Sequence, residues 1–388
     1  MNADALPPTA AASKSPGFVA RRLGLSPPDV PVARWHVSPV VDALAYHWGW
    51  LFVLVPVLLV GGPERDWWPL LVFVLGVNFS HRLLTLPYVY LDSAVFRAHP
   101  WKFTLFPGLM IVCIVLCPWV EQSLPGGRTV IGVAAGVSAA WNLWHVLMQK
   151  YGLLRLYAAK SGLPEAARTP AWVDRLLVFA PLPALLAWVG PENREAVARY
   201  FKSGRSFMPT VLDGLMAARP VLLGFGCALV AAAIFLWVRA EWRGHRLRSA
   251  PRLGMAAGTT LLAGVFFVVD PIKAYLAYGF SHALEYTVFV WAVQRKRYHA
   301  PLAHRPLLGR LLTRPALFYA VVLIGLAAFY ALSKWWNDYF FPGAPEPMWA
   351  GTPAVRWIFY IAIFQSMTHF YFDGFLWKMR LPEVRAQL

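Results

Sequence analysis

Charge is scarce in this chain and cysteine scarcer. Only 14% of its 388 residues are Asp, Glu, Lys or Arg and 58% are hydrophobic, whereas an ordinary soluble protein is about one quarter charged. Such a composition excludes a water-soluble globule and implies an integral membrane protein. The three cysteines, Cys113, Cys117 and Cys227, all lie in apolar runs, which excludes a disulfide framework and a thiolate metal site. Acids are the minority among the charges, 19 Asp and Glu against 36 Lys and Arg, for a formal charge of +17. A nucleic-acid partner is nevertheless excluded, because the cations sit in short loops between apolar runs and do not build a basic face on a soluble domain. The first 42 residues lack the apolar centre of a cleaved leader. No signal peptide is expected, and residues 1–42, rich in Pro and Ala, are read as a flexible cytoplasmic tail.

Aromatic residues, by contrast, are plentiful: 19 Trp, 15 Tyr and 25 Phe, suited to belts at two membrane interfaces. A bilayer core about 30 Å thick needs roughly 20 apolar helical residues. Such runs lie near 43–60, 67–90, 103–120, 129–149, 172–190, 218–238, 253–270, 272–293, 315–333 and 354–377. The fold expected is all-α, a polytopic membrane helical bundle of about ten transmembrane helices. Counts of nine or eleven follow if the turn at Asp270, Pro271 and Lys273 is read differently. Lys and Arg concentrate in alternate loops, which puts both termini in the cytoplasm. Residues 43–380 then form one transmembrane domain and 381–388 a cytoplasmic tail. In a bacterium the expected location is the cytoplasmic (inner) membrane. The loop after the fifth run mixes acids with cations, and its Val197, Tyr200 and Phe201 are spaced for a short helix at the outer interface.

Four short segments break the apolar pattern in related ways: NFSH ending at His81, NLWH at His145, GFSH at His282 and SMTH at His369. In the ten-helix topology all four lie on even-numbered spans that run toward the cytoplasm. At 1.5 Å per residue their depths differ by about 12 Å, all within the cytoplasmic half. Each has polar neighbours one helical turn away, on its own face: Asn78 for His81, Asn142 and Gln149 for His145, Tyr278 and Glu285 for His282, Gln365 and Asp373 for His369. Hydrogen bonding between helices accounts for one such histidine. Four at related depth, two with a carboxylate one turn on, exceed what that account requires.

Neutral imidazole and carboxylate are the ligands of iron, manganese and zinc. His81, His145, His282, Glu285, His369 and Asp373 are therefore the expected metal ligands, with Asn78, Asn142, Gln149, Tyr278 and Gln365 steadying the imidazoles from behind. His282 and Glu285 repeat, in reversed order, the Glu-x-x-His pairing of di-iron bundles. The His-x-x-x-His and His-x-x-His-His clusters of membrane desaturases are absent. The expected function is a metal-dependent membrane enzyme, with one or two non-haem iron ions, that hydroxylates or desaturates a lipid-soluble substrate. Such an oxidoreductase requires an outside electron donor, which the sequence does not identify. Three alternatives use the same residues: a zinc-dependent lipid hydrolase, a haem-binding electron carrier and a transporter with a His/Glu/Asp relay. Arg82, at membrane depth, needs an anion: either Glu285 or Asp373 as a buried partner, or an anionic group of the substrate. The stretch from Gln149 to Lys160 would continue its helix beyond the membrane. Its cations, with those of the loop carrying His299 and His304, would ring the cytoplasmic mouth of the site. Those two loop histidines are left out of the site.

Overall fold

The computed structural model describes residues 33–62, 66–187, 208–244, 249–298, 313–314 and 319–376. Most of the tail, the proposed interfacial helix around Val197, the loop carrying His299 and His304, and the C-terminal tail lie outside those residues. The chain is all-α: a two-residue hairpin of β1 (Met348–Trp349) and β2 (Thr352–Pro353) is the one sheet among the described residues. The helices that matter below are α1 (Pro39–Asp42), extended by a π-helical turn Ala43–His47, α2 (Leu51–Val60), α3 (Trp68–His81), α4 (Thr85–Leu91), α5 (Ser93–Ala98), α6 (Pro100–Ser123) and α7 (Gly127–Ala159). They continue with α8 (Ala171–Phe179), α9 (Leu182–Leu186), α10 (Met208–Arg243), α11 (Ala250–Val265), α12 (Pro271–Arg297), α13 (Gly325–Lys334) and α14 (Ala354–Leu376).

Each apolar run of the sequence carries helix, but the runs are not equivalent. Among the described residues, four helical stretches are long and apolar enough to cross a membrane: Trp68–Leu91, Pro100–Ser123, Gly127–Ala159 and Thr210–Arg243. A fifth is added if Pro39–His47 and Leu51–Val60, bent by 59°, make one span. The run at 172–190 divides into α8 and α9 around Ala180 and Pro181, because Pro181 and Pro183 have no N–H to continue the hydrogen-bond ladder, although Ala180 and Pro181 keep helical backbone angles. Helices α12 and α14 are long, 27 and 23 residues, but polar residues along them lower their hydropathy. Those same residues face inward. On α6, Leu105, Leu109, Val112, Leu116 and Trp119 are exposed, whereas on α12 Ala274, Ala277, Ser281, His282 and Glu285 are buried. An apolar outside around a polar inside is the arrangement a bilayer imposes.

The interior is held by paired polar groups as well as by packing. Arg252 is buried between Asp174 and Glu241 and donates to the Leu154 carbonyl, joining α11 to α7, α8 and α10. Arg155 completes the network on Asp174. The chain entering α1 is anchored likewise: the Asp42 carboxylate accepts the backbone N–H groups of His36, Val37 and Ser38 and the Tyr157 hydroxyl. The packed structure thus begins by Ala33, ahead of the start at residue 43 that hydropathy suggested.

The bend between α1 and α2 lies on two glycines of α11. A Cβ at Gly258 would stand 2.1 Å from the His47 carbonyl oxygen, and one at Gly254 would stand 2.3 Å from His47 Nδ1. Small residues four apart let helix backbones meet closely in this way. Gly258→Ala is expected to lower stability by about 1–3 kcal/mol, the cost of overpacking. Gly264→Ala, on the same helix with nothing within 4 Å, serves as the neutral control. Detergent unfolding of both variants checks the pair, and equal loss would refute the contact.

Candidate metal centre

The NFSH segment ends α3. Ser80 Oγ donates back to the Gly76 carbonyl at 2.8 Å, a bond that loosens the helix. The next turn is tightened, with Leu83 and Leu84 bonding three residues back to Ser80 and His81. The α-helical ladder stops at His81 and resumes at Thr85. His81 therefore stands at a break, fully buried.

All four histidines meet. Ring centroids are 4.9 Å apart for His81 and His282, 5.1 Å for His282 and His145, 4.9 Å for His145 and His369, and 5.2 Å for His369 and His81. They close a ring of imidazoles contributed by α3, α12, α7 and α14. These helices run parallel. Ser138 bonds Ile363 as His145 meets His369, His145 meets His282 as Gln149 bonds Glu285, and Asn78 lies beside Gly279 as His81 meets His282. Bare glycine at 279 is required there, because a Cβ would stand 2.7 Å from Asn78 Nδ2.

Two overlapping groups of donors emerge: His81, His282 and His369, and His145, His369 and Asp373, each with one ligand atom per residue within 4.8 Å of the others. In the second group Asp373 Oδ2 is 3.6 Å from His145 Nε2 and 3.7 Å from His369 Nε2. Those separations are too long for hydrogen bonds. They match two ligands about 2.1 Å from one ion, subtending about 120°. His81 Nε2 and His282 Nε2 are 3.2 Å apart, close enough for one to donate to the other. Five of the six remaining nitrogens, Nδ1 of His81, His282 and His369 and Nε2 of His145 and His369, are buried with no hydrogen-bond partner among the described residues. Bare buried nitrogens in such number cost free energy unless something satisfies them, and a cation held by neutral imidazoles does so.

Glu285, an expected ligand, is engaged elsewhere. Its Oε1 accepts from Lys150 Nζ and from Ser281 Oγ, and its Oε2 from Gln149 at 3.1 Å. Glu285 falls in neither donor group. Lys150, counted in the sequence as a loop-facing cation, is 1% exposed inside α7. Continuation of that helix to Ala159 is as expected, but its first cation faces the core.

The residues expected behind the imidazoles mostly tie helices together. Gln149 Nε2 also donates to the His282 carbonyl, and Gln365 Nε2 to the Phe79 carbonyl. Asn78 accepts from Arg82 Nη2 at 3.2 Å. The Tyr278 ring lies under Lys150 Nζ, its hydroxyl buried without a hydrogen bond among the described residues. Asn142 is half-buried beside the site. Arg82 donates to Ser366 Oγ and the Ala362 carbonyl, linking α3 to α14.

Tyr286 was missed. Its hydroxyl donates to Asp373 Oδ1 at 2.9 Å, leaving Oδ2 toward the histidines, and its ring packs on His369 and His81. The signal was available, since Tyr286 lies one turn beyond His282 on the same face.

A cavity of about 970 Å³ opens beside the second donor group. His145, Asp373, Tyr286 and Glu285 form its polar wall, while Trp144, Met148, Phe289 and Phe370 supply apolar lining. Its volume is near the top of the roughly 300–1,000 Å³ usual for small-molecule sites. His36 stacks on Phe289, a residue of the cavity wall. Burial, and then the charge of Lys160, push the His36 imidazole down to about 4, so it is neutral at physiological pH and adds no charge there. No family model, curated protein or solved structure matches this chain.

Proposed function

We propose that the protein is a membrane-embedded non-haem iron oxygenase that hydroxylates or desaturates a lipid-soluble substrate. One observation carries this reading: two histidines and one carboxylate, His145, His369 and Asp373, stand together, and two of them, His145 and Asp373, line a largely apolar cavity. Two imidazoles and a carboxylate, with open coordination positions, are the ligand set that suits iron(II) for oxygen chemistry. The cavity gives an apolar substrate access to those open positions. His81 and His282, hydrogen-bonded to each other, back the centre from the side away from the cavity. Hydroxylation converts a C–H bond, O2, two electrons and two protons into an alcohol and water. It therefore needs an external two-electron donor, which would dock on the cytoplasmic side.

The finer topology belongs to the same proposal: ten spans, both termini cytoplasmic and, in a bacterium, the inner membrane. The charge alternation of the loops supports it.

The zinc reading is weaker, because the three-histidine group, His81, His282 and His369, does not line the cavity. Haem fits less well. Two axial imidazoles would have to admit a porphyrin between them, and the imidazoles here are in mutual contact, His81 Nε2 standing 3.2 Å from His282 Nε2. The transporter reading has one observation in its favour, the helix break after His81, since transport sites use interrupted helices.

Metal content and the visible spectrum of the detergent-purified chain test the proposal. About one iron per chain without a Soret band is expected. One zinc would move the reading to hydrolysis and a Soret band to electron transfer. A chain free of metal that carries a proton-driven flux in liposomes would sink it in favour of transport.

A further inference from the structure

Among the polar clusters away from the centre, the Arg252 network and the Asp42 anchor are built from internal ion pairs and hydrogen bonds. The cavity is different, because it has a direction. Its lining follows one face of α7 from Trp141 to Leu156, about 22 Å of helix, with α12 and α14 forming the other walls. His145 and Asp373 lie toward its outer end. Ten residues further along α7, about 15 Å away, Arg155 lines the cytoplasmic end. Between them the walls are Met148, Gly152, Leu153, Phe289 and Tyr371, together with Gln149 and Glu285, which are hydrogen-bonded to each other; Lys150, on the same stretch of α7, is turned to Glu285 and is not part of the lining. A cavity that is long, lined mostly by apolar and aromatic side chains and cationic only at its cytoplasmic end fits an extended chain with a single polar head better than a compact or two-chained molecule.

The charge at the cytoplasmic end has a sign. Arg155 is spoken for by Asp174. Arg175, exposed on α8, lies over the Tyr151 ring at 5.2 Å and makes no ion pair among the described residues. Tyr151 itself lines the cavity, so the guanidinium of Arg175 packs on a residue of its wall. An exposed guanidinium held on an aromatic face keeps its donors for a carboxylate or phosphate. Trp144, 53% exposed on the flank of the cavity, leaves a side entrance from the hydrocarbon.

We infer that the ligand of this cavity is a single-chain anionic amphiphile of the long-chain fatty acid class. Its head lies at Arg175, beside Tyr151, and its chain runs outward along α7 past His145 and Asp373, His145 standing six residues or about 9 Å of helix from Tyr151. The inference rests on the oxygenase reading for the fate of the ligand, but not for its binding.

Equilibrium binding of tritiated palmitate and of tritiated hexadecanol to the purified chain in detergent separates the two. Wild type is expected to bind both, palmitate more tightly. Arg175→Glu, at an exposed position, should weaken palmitate about fivefold and leave hexadecanol unchanged. Gly152→Leu should abolish both, because a side chain at Gly152 meets nothing within 4 Å and projects into the cavity. Metal measured on the same samples should not change in either variant. Absence of palmitate binding in wild type, equal loss of acid and alcohol in Arg175→Glu, or preference for a two-chain phospholipid would each overturn the inference. Metal without palmitate binding would sink this inference alone, and palmitate binding without metal would sink the oxygenase reading alone.

Discussion

His369→Ala is expected to lose at least nine-tenths of the bound metal while keeping its helical content. His369 is the one residue common to both donor groups, so removing it takes a ligand from whichever group holds the ion. A lost partner behind a metal ligand already lowers affinity about 10- to 100-fold, and a lost ligand costs more. The helix should survive. Both His369 ring nitrogens lack hydrogen bonds, so no internal pairing is broken, and α14 stays tied through Ser138 to Ile363 and Arg82 to Ser366. Elemental analysis together with circular dichroism decides the matter. A variant with wild-type metal content would remove His369 from the centre. His81→Ala serves as the comparison, since His81 belongs only to the group away from the cavity, and it should retain much more metal.

How much of this centre was legible in the sequence follows from what spacing encodes. The histidines could be found because each interrupts an apolar helix, and their convergence could be anticipated because polar stripes avoid lipid. Asp373 could be assigned because residues four apart on a helix are neighbours, and the structure holds it 3.7 Å from His369. Glu285 satisfied the same rule with His282 but turns to Lys150. Its partner is on another helix, and nothing in one-dimensional spacing ranks a histidine on the same helix above a lysine on the next. Lys150 was misassigned for a related reason. Positive-inside counting treats every cation near a helix end as solvated, and α7 continues past the point where hydropathy falls. The fold divides similarly. Helices were placed by apolar runs, whereas the breaks at His81 and around Pro181, and the seating of His47 on Gly254 and Gly258, depend on local hydrogen bonding and on which helices pack together.

The Lys150–Glu285 pair yields the second large prediction and separates two roles for Glu285. If the pair is structural, Lys150→Met leaves a carboxylate and Glu285→Gln leaves an ammonium without its counter-ion in a site that is 1% exposed or less. Removing one member of a buried ion pair typically costs about 3–5 kcal/mol, whereas replacing both is often close to neutral. The double variant Lys150→Met, Glu285→Gln should therefore recover most of the loss, with Gln149 and Ser281 still placed to hydrogen-bond the new amide. A coupling of about 3 kcal/mol across the double-mutant cycle, read from unfolding in mixed detergent, is the expected result. Metal content supplies the discriminating readout. A structural Glu285 gives a destabilised Glu285→Gln that still binds metal, and a double variant that is stable and metal-loaded. A ligand Glu285 gives metal loss in the single and the double alike, whatever the stability. The geometry favours the first outcome, because both Glu285 oxygens already accept hydrogen bonds while Asp373 Oδ2 faces two imidazole nitrogens.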